Sequence, residues 1–247
     1  MTIRSITLTG VDQTTNLYRL AAITRAARAV RVEWAVLYSP ERAGGGGRYP
    51  SLSGIRAFSQ FAARHHLSTA IHVCGTGIDE LLSSNAAALE LTAGFGRVQL
   101  NFDQQKRQFP LHRLEALIRT LNRPVITQHN EMNDRVSRLI TAPGHQLLVD
   151  SSRGAGISPR SWPQPTTPKP TGYAGGLGPD NLSEAAIQIE AVAGVDSHRT
   201  WVDMESKLIG PEGRFDVRLA ERCVDIIRMN AERIVLESDA PGISAGF

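Results

Sequence analysis

Ala174-Gly175-Gly176-Leu177-Gly178-Pro179-Asp180-Asn181-Leu182 is the stretch on which the reading of this chain turns. It reads as a strand end, a double-glycine turn, and a helix opened by Pro179, Asp180 and Asn181. Proline suits the first helical turn, and acidic or amide side chains satisfy the free backbone N–H groups there. Two adjacent glycines let the backbone approach a ligand closely, and the helix start behind them favours an anion. A second stretch, Trp201-Val202-Asp203-Met204-Glu205-Ser206, puts a carboxylate at the end of another apolar strand. In a parallel barrel such strand ends are where phosphate and substrate bind.

Working outward, short apolar strands alternate with amphipathic segments. Ile6 to Thr9 precedes Gly10, and Leu17 to Val30 carries apolar residues at helical spacing. Trp34 to Tyr38, Thr69 to Cys74, Arg97 to Asn101, Pro124 to His129 and Gln146 to Asp150 read as further strands. Between them lie helices over Leu52 to Ala63, Ile78 to Leu91, Leu111 to Leu121 and Asp134 to Thr141. Strands seven and eight end at Gly175 and Asp203, and a last helix covers Val217 to Ala231. Strand–helix units in regular alternation predict parallel pairing with helical crossovers. Eight of them favour closure into a single-domain α/β fold, a (β/α)8 TIM barrel over residues 1–247. An open doubly wound sheet is the alternative, but no G-x-G-x-x-G follows strand one to support dinucleotide binding. Gly154 to Gly172, with five prolines, reads as a long functional or disordered loop after strand six.

Composition narrows the function classes. Hydrophobic content of 41% and charged content of 21% are ordinary for a globular chain. The formal charge of +3 has no Lys/Arg block behind it, which argues against nucleic acid and for a small anionic ligand. Cys74 and Cys223 lie far apart with no histidine pattern, as expected of reduced thiols. The N-terminus lacks a secretion pattern and no run has the length of a membrane span, so a cytoplasmic protein is expected. No cofactor is implied. A metal site from His72, Cys74, His129 and Asp150 would lack any spacing signature.

Several motifs occur together in one order. They are Leu37-Tyr38-Ser39-Pro40 with Arg48-Tyr49 and Ser51, Val98-Gln99-Leu100-Asn101, and Leu147-Leu148-Val149-Asp150-Ser151. Gly154-Ala155-Gly156 with Trp162, the double-glycine stretch, Val202-Asp203 with Ser206, and Gly213, Phe215 and Asp216 complete the set. From Ile6 to about Val224 the chain resembles phosphoribosylanthranilate isomerase, a barrel family of the tryptophan pathway. The resemblance implies an Amadori rearrangement of an N-linked phosphoribose, with a general acid at the ring oxygen and a base at C2. It places Asp150 as the acid, which needs a protonated carboxyl. It places Arg48 as the clamp on a carboxylate, a task suited to a planar fork. Gln99 and Asp203 fall among the substrate contacts, and Gly175, Gly176, Ser206 and Lys207 among the phosphate contacts.

Departures from the family shape the expectation. Its basic cysteine in K-x-C-G is replaced here, in Thr7-Leu8-Thr9-Gly10, by Thr9. A threonine hydroxyl is far less acidic than a thiol and does not act as the base unaided. Asp12, Cys74 and His129 are the candidate substitutes. Lys207 stands for a family glycine and Glu205 for a small serine. The lysine adds a positive charge, whereas the glutamate repels a phosphate dianion unless it points away. Gly44 to Gly47 before Arg48 suit a mobile lid. The histidines His72, His129 and His198 read as scaffold or surface groups. The expectation is therefore a divergent isomerase-like barrel for a phosphorylated ribose-type or nucleotide-like ligand, acting by acid–base chemistry. A barrel that binds a ligand or partner without turnover, and a lyase or hydrolase of a sugar phosphate, are the alternatives. The oligomeric state is left open.

Overall fold

Eight short strands run in one direction and close on themselves in chain order. They are β1 (Ser5–Thr9), β2 (Arg31–Tyr38), β3 (Ser68–Cys74), β4 (Arg97–Asn101), β5 (Val125–His129), β6 (His145–Asp150), β7 (Thr171–Ala174) and β8 (Trp201–Met204). All pairings are parallel, and β1 closes the barrel against β8 through Ile6 to Leu8. The computed structural model describes residues 3–150, 152 and 155–238, without the side chains of 195, 196 and 233–238. Ser151 and Gly154 of the expected glycine loop fall outside the described residues.

The helices are α1 (Leu17–Ala26), α2 (Leu52–Arg64), α3 (Gly77–Leu82), α4 (Ala86–Ala93), α5 (Leu111–Leu121), α6 (Asp134–Leu139), α7 (Leu182–Ala193) and α8 (Val217–Ser238). Alternate strand residues such as Leu8, Trp34, Ile71, Val98 and Val202 pack outward against them in one continuous core. Trp34 shows how the layers lock. Its indole donates to Thr24 Oγ1 of α1 at 2.9 Å and meets the Phe215 ring edge-on.

Three expected elements differ. The helix predicted over Ile78 to Leu91 is two, because Ser84 takes a left-handed φ of 59° and Asn85 restarts the chain by accepting from Ala88 N. Helix α1 stops at Ala26, and Arg28 turns the chain at φ 51°. The helix behind the double glycine begins at Leu182, not at Pro179. There Asn181 folds back to accept from Gly178 N, so residues 179–181 form a turn ahead of the helix.

The residues on the inner side of the strands are unusually polar for a fold whose interior is ordinarily filled with branched apolar side chains. Toward the strand starts, Arg97 grips Glu33 through two bonds of 2.8 and 2.6 Å and also reaches Thr7 and Gln146. Its guanidinium lies over the Trp201 ring, 4.4 Å from the centroid. Above this layer Ile126, Leu148 and Trp201 form a small cluster of their own, with Ala174 against it. A Cβ at Gly172 would overlap the indole, so glycine is what lets Trp201 lie there. On β6, Leu148 of this cluster stands between Gln146 of the Arg97 layer and Asp150 of a second polar layer at the strand ends.

Candidate active site

That second layer floors an open cavity of about 550 Å³ at the C-terminal mouth of the barrel. Thr9 at the end of β1 donates to Asp203 Oδ1 at 3.0 Å. Asp203 Oδ2 faces His72 Nε2 of β3 at 3.8 Å, with both side chains almost wholly buried. Burial raises the Asp203 carboxyl well above the usual carboxylate range, against the pull of the Thr9 bond. Burial, helped by the Arg97 charge, drives the His72 imidazole down to about 3. Burial thus works against the charged form of both groups. Next to them on β4, Gln99 Nε2 lies 3.3 Å from His72 Nδ1 and donates to Asn101 Oδ1 at 2.9 Å. Asn101 in turn reaches Cys74 Sγ, whose thiol burial pushes up to about 11.

The wall on the β6 side carries Asp150. Its Oδ1 accepts from Ser152 N at 3.1 Å and Ser152 Oγ at 2.7 Å, and its Oδ2 from Gln128 Nε2 at 3.4 Å. Gly175 and Gly176 turn the chain at φ 121° and 61°, conformations that favour glycine. A Cβ on Gly176 would stand 2.7 Å from Gly156 O and from Ser158 N, because the loop after β6 folds onto this turn. Trp162 anchors that loop, packing edge-on against Tyr173, whose hydroxyl donates to Pro163 O. Across the mouth, Arg48 Nη1 donates to Glu205 Oε1 at 2.5 Å and ties the glycine-rich loop after β2 to the end of β8.

Of the residues expected from the sequence, Asp150, Arg48, Gln99, Asp203, Gly175, Gly176 and Ser206 line this one cavity. Thr9 supports Asp203 from the end of the neighbouring strand β1. Asp12 and Lys207 are not among the lining residues. Asp12 is buried in the turn after β1, where Oδ1 accepts from Thr14 N, Thr14 Oγ1 and Thr15 Oγ1. Lys207 is exposed, with its Cβ stacked over Gly178. His129 has both ring nitrogens engaged, by Ser137 Oγ at 2.7 Å and Thr166 Oγ1 at 3.1 Å, so it is a scaffold group. Cys74 reaches the cavity as a thiol. Among the described residues no His/Cys/Asp/Glu group suits a metal ion.

Sequence reasoning left His72, Asn101 and Gln128 out of the site. The signal was the period of two along each strand. His72, Gln99 and Asn101 share the inward parity of β3 and β4, so one inward residue implicates its neighbours. Glu205 stood out only as a departure, and it points at Arg48.

Solved structures were matched across nearly the whole chain. Phosphoribosyl anthranilate isomerase from Thermus thermophilus is 19% identical over 93% of this chain and 100% of that one, with a TM-score of 0.61. A truncated 3-deoxy-D-arabino-heptulosonate 7-phosphate synthase from Thermotoga maritima is 13% identical over 94% and 88%, with a TM-score of 0.57. Tryptophan synthase from Mycobacterium tuberculosis is 15% identical over 92% and 93%, with a TM-score of 0.52. The likeness is one of fold. At these identities it establishes the TIM-barrel architecture of the chain and leaves the chemistry to the site. No protein-family model and no curated protein matches the sequence. Among the described residues no helix is long and apolar enough to cross a membrane.

Proposed function

We propose that the barrel is an enzyme of acid–base chemistry on a small phosphorylated sugar, of the aldose–ketose isomerising kind. The observation that carries the proposal is two carboxyl groups in one cavity held in different environments. Burial holds the Asp203 carboxyl well above the usual carboxylate range, whereas Asp150 accepts hydrogen bonds from Ser152 and Gln128. Pairs of titratable groups set apart in this way divide the roles of acid and base. Asp203 then lends its proton to the ring or carbonyl oxygen and regains one from the neighbouring hydroxyl. Asp150 removes the proton on C2 and returns one to C1. These roles differ from the sequence expectation, in which Asp150 was the acid and Asp203 a substrate contact.

The turns after β7 and β8 support a phosphate subsite through Gly175, Gly176 and Ser206. Two of the structurally similar proteins carry phosphate esters in their names. Arg48 binds the same anion only when Glu205 gives way. A barrel that binds such a ligand without turnover is the second reading, favoured by Thr9, which occupies the expected place of the base and supports Asp203 instead.

Thermal melting with ribose 5-phosphate and with inorganic phosphate tests the ligand. A ligand at about 100 times its Kd adds ~2.7 kcal/mol, a rise of several degrees in Tm for a chain of this size. No shift with either compound refutes the proposal. Asp150→Asn that still binds and no longer turns over supports an enzyme, and equal turnover removes Asp150 as the base.

A further inference from the structure

Three residues that line the bottom of the mouth each hold a buried polar atom without a hydrogen-bond partner: His72 Nε2, Gln99 Oε1 and Asp203 Oδ2. Their side chains are 1%, 2% and 4% exposed, sit on three different strands, and all line the cavity. A buried polar group left unpaired costs about 1–3 kcal/mol. Three together on the floor of an open cavity are therefore a cost that the fold carries for a ligand.

The bonds already made define what the three atoms offer. An amide nitrogen only donates, so with Gln99 Nε2 beside His72 Nδ1 the ring accepts there and carries its proton on Nε2. Gln99 Oε1 is left as an acceptor. Asp203 Oδ1 is taken by Thr9, which leaves Oδ2 as the end of the carboxyl that faces the ring. The 3.8 Å between Oδ2 and Nε2 is too long for a direct bond. It is short enough for one ligand oxygen to lie at about 2.8 Å from both.

We propose that His72, Gln99 and Asp203 form an uncharged subsite for the hydroxylated end of a ligand, either two vicinal hydroxyls or a hydroxyl beside a carbonyl. One oxygen receives from His72 Nε2–H and meets Asp203 Oδ2, and the neighbouring hydroxyl gives to Gln99 Oε1. An anionic group offers no proton to Gln99, and an apolar group leaves all three atoms unpaired. His72 is a binding and positioning residue here, because its proton identifies which oxygen sits where. The inference rests on the reading of the mouth as a sugar-phosphate site and adds the chemistry of the end remote from the phosphate.

The test has two arms. In the ligand-free protein, ¹⁵N chemical shifts of the His72 ring report the tautomer. The neutral form protonated on Nε2 is expected throughout pH 5.5 to 8, and either the Nδ1–H tautomer or the imidazolium overturns the subsite. In the second arm, inorganic phosphate and ribitol 5-phosphate are titrated calorimetrically into wild type, Gln99→Met and His72→Phe, each checked for an intact melting transition. Ribitol 5-phosphate is expected to bind wild type about tenfold more tightly than phosphate, with the advantage lost in both variants and phosphate binding unchanged. Phosphate binding with no advantage for the polyol, or an advantage that survives both substitutions, overturns the subsite and spares the sugar-phosphate reading. Failure of both compounds to bind wild type overturns that reading, and this proposal with it.

Discussion

Replacing His145 by glutamine makes the barrel more resistant to acid by an amount that follows from its surroundings. His145 opens β6 and is 3% exposed, with Nε2 at 2.9 Å from Thr127 Oγ1. Burial, with the Lys169 charge as a lesser cause, drives its imidazole down to about 3 from the ordinary 6.5. The folded value lies below the unfolded one, so the unfolded chain takes up the proton first. Stability is complete above pH 6.5 and declines as the pH falls toward 3, by about 1.4 kcal/mol for each unit. Between pH 7.5 and 5.0 the group therefore costs roughly 2 kcal/mol. His145→Gln keeps a side chain able to bond Thr127 and removes the titration. Urea unfolding of wild type and variant at both pH values isolates the effect as a double difference, because all other groups titrate alike in the two proteins. Wild type is expected to lose about 2 kcal/mol more than the variant. Equal losses would show that the folded protein protonates His145 as readily as the unfolded chain, and the burial argument would fail.

Asp203 has the opposite sign. Its folded value is raised, so stability falls as the pH climbs above the unfolded carboxylate value, and Asp203→Asn flattens the decline in Tm between pH 5 and 8. A variant that follows wild type across that range contradicts the upward push of burial on Asp203. Gly176→Ala forces a Cβ to within 2.7 Å of Gly156 O and Ser158 N at a left-handed φ. A loss of about 1–3 kcal/mol is expected in chemical denaturation, and a neutral result would mean that the loop after β6 moves away easily. Glu205→Gln removes the carboxylate that holds Arg48 and tightens ribose 5-phosphate about fivefold or more, measured by calorimetry. An unchanged Kd would place the anion elsewhere than Arg48.

The barrel was legible because its signals are local. Arg97-Val98-Gln99-Leu100-Asn101 has the bounds expected of it, since alternating polar and apolar residues and a helix pattern on either side leave few other readings. The break between α3 and α4 was not legible. Left-handed turns are read from glycine, and this one is made by Ser84. The site was partly legible for a related reason. Asp150, Asp203 and the double glycine each close a strand, and strand ends of a barrel share one mouth. The partners of these groups were hidden. His72 and Asp203 stand 131 residues apart in the chain and meet only because β8 closes on β1 beside β2 and β3. Arg48 looked like a free cation, and no local pattern shows that Glu205 reaches across to hold it. Lys207 carried the right charge at the right place in the order, yet its stem packs over Gly178 and its side chain stays in solvent.

The apolar collar of Ile126, Leu148 and Trp201 has a consequence for how this molecule could be altered. It stands between the Arg97–Glu33 clasp and the mouth without cutting off their charges, for Arg97 still acts on His72 and Asp203. The clasp opens instead onto a second cavity at the strand starts, so the upper tier can be rebuilt for another reaction, above a fixed positive charge, while the lower tier keeps the staves of the barrel together.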